Sequence, residues 1–68
     1  MSNVEDIKRR YLADQITPWL ACAELLQASI GVLTAPEHDR SQLGRLVWAL
    51  RQMDLFERER RLSAKSQE

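Results

Sequence analysis

The sequence predicts an all-α fold, a three-helix, helix-turn-helix-like bundle, on three observations. Only two glycines and two prolines punctuate the chain. Leu, Ala, Arg, Gln and Glu are abundant and β-branched residues few, so most positions favour helix over strand. Apolar residues recur at intervals of three and four in three separate stretches. The 68 residues make one small domain, 1–62, with 63–68 expected as a disordered tail.

A chain this short buries only about 60% of the surface its unfolded form exposes, which leaves no room for an enclosed catalytic pocket beside a stabilising core. An enzyme is therefore not expected: no catalytic residue, no cofactor and no small-molecule substrate. At 44% hydrophobic and 29% charged, the composition is that of an ordinary soluble domain. Ten basic residues balance ten acidic ones, and that neutrality argues against a sequence-blind nucleic-acid coat. The single cysteine, Cys22, cannot close an intramolecular disulfide, and one His with one Cys cannot supply a four-ligand zinc site, so no metal is expected. The apolar stretch from Ile16 to Leu33 is interrupted by Thr17, Pro18, Glu24, Gln27 and Ser29, short of what a membrane span needs. The acidic opening Met-Ser-Asn-Val-Glu-Asp lacks the features of a signal peptide. A reduced, cytoplasmic protein is expected.

The first helix is expected from about Asn3 to Gln15. Ser2 and Glu5 have capping-box spacing, and Val4, Ile7 and Tyr11 share a face. Glu5 with Arg9 and Asp6 with Arg10 make acid-first i,i+4 pairs, so Lys8-Arg9-Arg10 reads as a solvated helix face rather than a phosphate site. The second helix starts at Thr17-Pro18, a hydroxyl N-cap with proline at the first helical position. Trp19, Cys22, Ala23, Leu26 and Ile30, widened by Leu25, form its expected core stripe, with Glu24 and Gln27 outside. Trp19 reads as a core anchor, Cys22 as a small buried hydrophobe and Gly31 as the left-handed residue that stops the helix. Two starts compete for the third helix, Thr34 and Asp39; Asp39 is favoured because the apolar period begins only at Leu43, which leaves His38 in the loop.

In the third helix, Leu43, Leu46, Val47, Leu50 and Met53 fall within about 120° of arc at about 100° per residue, a complete core-facing stripe. The opposite face then presents Ser41, Arg45, Trp48 and Gln52, flanked by Gly44 and Arg51. Forked donors, an amide and a large flat ring suit a contact surface. As a DNA-recognition helix it would place Arg45, Arg51 and Gln52 against base edges or phosphates, with Gly44 allowing close approach. As a protein interface it would use Trp48 as the anchor. Alternatively, Trp48 folds back over the Arg-rich tail and enlarges the core. The stripe breaks at Asp54, Glu57 and Arg61, so the helix should end near Asp54. Residues 55–62 then form either a short extended segment or a helical turn supported by Asp54 with Arg58 and Glu57 with Arg61.

Ile16-Thr-Pro-Trp-Leu-Ala-Cys-Ala-Glu-Leu-Leu-Gln-Ala-Ser-Ile-Gly-Val, then Asp39-Arg-Ser-Gln-Leu-Gly-Arg-Leu-Val-Trp-Ala-Leu-Arg-Gln-Met and Phe-Glu-Arg-Glu-Arg-Arg, resembles the helix-turn-helix or winged-helix segment of phage primase and virulence-associated E-type proteins. The resemblance implies a supporting helix over 18–29, a recognition helix over 40–53 and a basic wing entrance at Arg58, Arg60 and Arg61. Any wing is expected to be vestigial, with no second wing strand.

These observations point to a small non-enzymatic binding protein of phage, bacterial or mobile-element type. Its first expected role is DNA-linked regulation through Ser41, Arg45, Trp48, Arg51, Gln52, Arg58, Arg60 and Arg61, on double-stranded DNA and as a homodimer. The alternative is an adaptor or inhibitor that docks its third helix, through Trp48, onto a larger protein complex. From Arg45 to Lys65 six basic residues stand against three acidic ones, so the neutral chain is polarised with three excess positive charges on this segment.

Overall fold

The computed structural model describes residues 3–66 and contains three helices: α1 (Val4–Leu12), α2 (Pro18–Val32) and α3 (Gln42–Ser66). They form an all-α three-helix bundle, with no strand among the described residues.

Asn3 caps α1: its side chain accepts from the Asp6 N–H at 2.8 Å, while the expected cap residue Ser2 lies outside the described residues. Ile7 and Tyr11 are buried and Val4 half-buried, as the i,i+3,i+4 pattern predicts. Asp6 pairs with both Arg9 and Arg10, and Glu5 with Lys8 rather than Arg9. The helix stops sooner than expected. Asp14 has φ 58°, the Asp14 N–H donates to the Tyr11 carbonyl and the Gln15 N–H to the Arg10 carbonyl. These two bonds define a Schellman close with aspartate at the left-handed position.

The start of α2 is as read from sequence: the Thr17 hydroxyl accepts from the Leu20 N–H at 3.1 Å and Pro18 opens the helix. Its buried face is rotated from the expected stripe. Ala21, Leu25 and Ser29 are fully buried, Cys22, Ala23 and Leu26 are half-buried, and Trp19 and Ile30 are exposed at 79% and 63%. Glu24, expected outside, faces α1 and takes the fork of Arg10, with Nη1 to Oε2 at 3.1 Å. The buried Ser29 hydroxyl donates to the Leu26 carbonyl at 2.6 Å, so it adds no unsatisfied group to the core. Gly31 has no positive φ and remains helical; α2 ends one residue later and Leu33 covers the core.

The largest corrections concern α3. Its N-cap is Ser41 rather than Asp39: the Ser41 hydroxyl accepts from the Gly44 N–H at 3.1 Å. Asp39 braces that cap, accepting from the Ser41 N–H at 3.0 Å and from its hydroxyl at 2.6 Å. The helix does not end near Asp54 but continues through Ser66, so 55–62 form no wing and 63–66 no irregular tail. The apolar stripe breaks at Asp54 without breaking the helix: no Gly or Pro follows, and the Asp54–Arg58 ion pair at 3.1 Å spans the supposed end. Continuation brings Phe56 into register with Ala49, and among the described residues of α3 these two are buried. With Ala49 and Phe56 inside, the helix is turned by more than a quarter turn from the predicted orientation. Leu43, Leu46, Val47 and Leu50, expected in the core, are exposed, and only Met53 of that stripe is half-buried.

This orientation buries Phe56. A Phe side chain contributes roughly 1.5–3 kcal/mol when fully buried, comparable to the best leucine in the competing stripe. It also stacks tilted against Tyr11, ring centroids 6.1 Å apart. The α1 side adds three polar ties to this half of α3: Tyr11 with Glu57, Lys8 with Glu59 at 3.4 Å, and Arg60 with the Tyr11 carbonyl at 2.8 Å. Thus α1 grips the C-terminal half of α3, while α2 packs along its N-terminal half.

Candidate interaction surface

The residues predicted as a contact set separate onto opposite sides of α3. Ser41 is committed to the N-cap. Arg45, Trp48 and Gln52 are half-buried on the inner side, where Trp48 packs against the core cluster. Arg45 sits in a shallow groove with Ala23, Leu26, Gln27, Ile30, Gln42 and Leu46, and its buried Nε has no hydrogen-bond partner. Arg60 is held on α1: its guanidinium carbon lies 4.7 Å from the Tyr11 ring centroid and its Nη2 lies 3.2 Å from Asp14. Only Arg51, Arg58 and Arg61 share the outer side.

Gly44 has a different role from the one its place in the sequence suggests. A Cβ there would lie 2.2 Å from the Asp39 carbonyl oxygen. The close approach is to the protein's own loop, not to a ligand. That loop, residues 33–41, is longer than the three or four residues of a helix-turn-helix turn. In it, the Ser41 hydroxyl and then its N–H hold the Asp39 carboxyl below the usual carboxylate range. His38 is exposed in the same loop.

What the outer side of α3 presents is mainly apolar. Leu43 is 69% exposed, Leu50 and Leu55 53% each, and Leu62 67%, with Val47 and Leu46 also exposed. Leu43, Val47, Leu50, Arg51, Asp54, Leu55, Arg58 and Leu62 fall within about 140° of arc at about 100° per residue, opposite Ala49 and Phe56. From Leu43 to Leu62 the face is about 28 Å long at the helical rise. Isolated exposed leucines are ordinary, whereas several on one helix face make a candidate contact surface. The charges within it are Arg51, Asp54, Arg58 and Arg61, and Asp54 pairs with Arg58 across the row.

Sequence reasoning found these leucines but placed them inside, because periodicity identifies a stripe without saying which side of it meets the core. The signal for the other side was Phe56, seven residues after Ala49 and therefore nearly in line with it.

Among the described residues no group of three or more His, Cys, Asp or Glu side chains is placed to hold a metal ion. Among the same residues no helix is long and apolar enough to cross a membrane. Cys22 is a half-buried free thiol. The chain matches no protein-family model, no curated protein and no solved structure.

Proposed function

We propose that this chain is a non-enzymatic binding module that engages another protein through the outer face of α3. The observation that carries the reading is the row of exposed Leu43, Val47, Leu50, Leu55 and Leu62 on a helix whose opposite side already supplies the core. Covering such a row releases ordered water at roughly 25 cal/mol for each Å² of apolar surface, which is what drives helix-face docking. The reading keeps the adaptor class expected from sequence and moves its anchor from Trp48 to the leucines. Duplex-DNA recognition drew on Arg45, Arg51 and Gln52 sharing one face, and with Arg45 and Gln52 on the inner side it has less support.

The test is a photo-crosslinking amino acid placed at Leu50, with a control at exposed Trp19 away from the row, in cells that express the protein. The expected result is a protein adduct from position 50 and none from position 19. No protein adduct from position 50, together with low-salt retardation of random duplex DNA that is lost in R51A/R58A, would replace this reading with the nucleic-acid one.

A further inference from the structure

We infer that the junction of α2, the 33–41 loop and α3 is a recognition site for a carboxylate that carries an apolar substituent, held by Arg45 and Arg40. The site is separate from the outer leucine row and stands or falls independently of it.

Two shallow depressions of about 420 and 370 Å³ adjoin at this junction, within the size range that small organic ligands fill. Ile30 and Arg45 line both. The first continues over Leu26, Leu46 and Gln42, and the second runs to Leu33, Thr34 and Arg40. Ile30 is 63% exposed and Leu46 is exposed beside it, so an apolar wall stands open to an incoming group.

The charges on this wall are all of one sign. No Asp or Glu lines either depression. Asp39, next to Arg40 in the chain, has its carboxylate engaged by the Ser41 N–H and hydroxyl, and the Ser29 hydroxyl is spent on the Leu26 carbonyl. Lys8, Arg9, Arg10, Arg58 and Arg60 all pair with carboxylates of the chain, whereas Arg40 and Arg45 pair with none among the described residues.

Arg45 is the group that the fold leaves incomplete. Its Nε is shut away from water and has no hydrogen-bond partner. The Arg60 Nε shares that state, but the Arg60 head group is tied to the Tyr11 carbonyl and to Asp14. Arg45 has no such tie. A buried N–H without an acceptor destabilises the folded state, and a carboxylate supplies the acceptor. A turn of the guanidinium on its flexible stem sets Nε–H and one Nη–H against the two carboxylate oxygens, the forked pairing this group makes best. Arg40 adds a second positive charge on the loop rim. The apolar substituent covers Ile30 and Leu46, which favours an organic acid over an inorganic anion. A free organic acid and an acidic side chain on a protein segment carry the same chemistry.

Protein labelled with nitrogen-15 reports on the Arg45 Nε–H directly by NMR, the signal being assigned by its loss in R45K. The probes are hexanoate and a capped peptide with one Glu between leucines, set against hexanol and the Gln counterpart of the peptide. Hexanoate should shift the Arg45 signal with roughly millimolar dissociation, as suits so small a ligand, and hexanol should not. A Glu peptide that binds more tightly than hexanoate assigns the carboxylate to a protein segment, and one that binds no better assigns it to a free acid. By shifts of the neighbouring backbone amides, R45M should abolish binding and R40M weaken it severalfold, while R51M on the outer side leaves it unchanged. R45M keeps the apolar stem and removes the unpaired N–H, so its thermal midpoint should not fall and lost binding is not lost folding. No shift with either carboxylate, an equal shift with hexanol or inorganic phosphate, or carboxylate binding that survives R45M overturns the site.

Discussion

The Tyr11 hydroxyl on α1 donates its hydrogen to the Glu57 carboxylate on α3, joining residues far apart in sequence across the edge of the core. First that bond, then burial, raises the phenol above its ordinary value of 10.0, although Arg60 opposes them. The folded state thus holds the proton more tightly than the unfolded chain. The contact contributes in full below pH 10 and is lost as pH rises through the raised folded value. Tyr11 is the only tyrosine, so tyrosinate absorbance reads it directly. The midpoint should lie above that of the denatured chain, and Glu57→Gln should bring it down. A midpoint unmoved by Glu57→Gln would mean that the hydroxyl is not bonded to this carboxylate.

Asp14 occupies the left-handed region with a side chain that tolerates it only moderately. Asp14→Gly should keep or raise the thermal midpoint, because the ion pair it removes, with Arg60, involves an Asp14 carboxylate 81% exposed to solvent. Asp14→Val should lower stability by about 1–2 kcal/mol, since a β-branched residue resists positive φ. Equal losses for the two variants in denaturant melts would show that Arg60 pairing, not backbone geometry, sets the value of this position.

The two glycines should respond oppositely to alanine. At Gly31 nothing lies within 4 Å of a new Cβ, so Gly31→Ala gains helix propensity worth up to about 1 kcal/mol. At Gly44 the new Cβ would meet the Asp39 backbone and side chain, and the Asp39–Ser41 brace must shift to accept it. A loss of about 1–3 kcal/mol is expected, comparable to other overpacked sites. A matched pair of thermal melts checks the difference in sign.

Phe56→Ala should cost about 3–5 kcal/mol and Leu43→Ala less than about 0.5 kcal/mol in dilute solution, despite both being large apolar residues of one helix. Phe56 is 2% exposed and Leu43 69% exposed. Comparable losses from the two variants, measured by urea unfolding, would place the leucine row back in the core.

Local rules were legible in the sequence. Thr17-Pro18 set the start of α2, and Val4, Ile7 and Tyr11 set the inward face of α1, because each depends only on neighbours within one turn. The rotation of α2 and α3 was not legible in that way. The chain carries more apolar residues than one small bundle encloses, so the longest stripe is not the inner one by default. The inward side was chosen by pieces distant in sequence: Ala21, Ala49, Tyr11 and Phe56 meet in one core, and Arg60 closes over Tyr11. A break in an apolar stripe at Asp54 reads as a helix end in the sequence, which hides Phe56 from that comparison. Of the expected contact residues, Arg51, Arg58 and Arg61 face outward, while Arg45, Trp48 and Gln52 were assigned from the inverted wheel.

The division of α3 into an inner side that holds α1 and α2 and an outer side left to solvent has an evolutionary consequence. Replacing Leu50 or Leu55 leaves Ala49, Phe56 and the Tyr11 contacts in place, so variation on the outside is released from selection for folding. Folding therefore sets no demand of its own on the identity of the outer residues, and the scaffold can stay the same while that side changes.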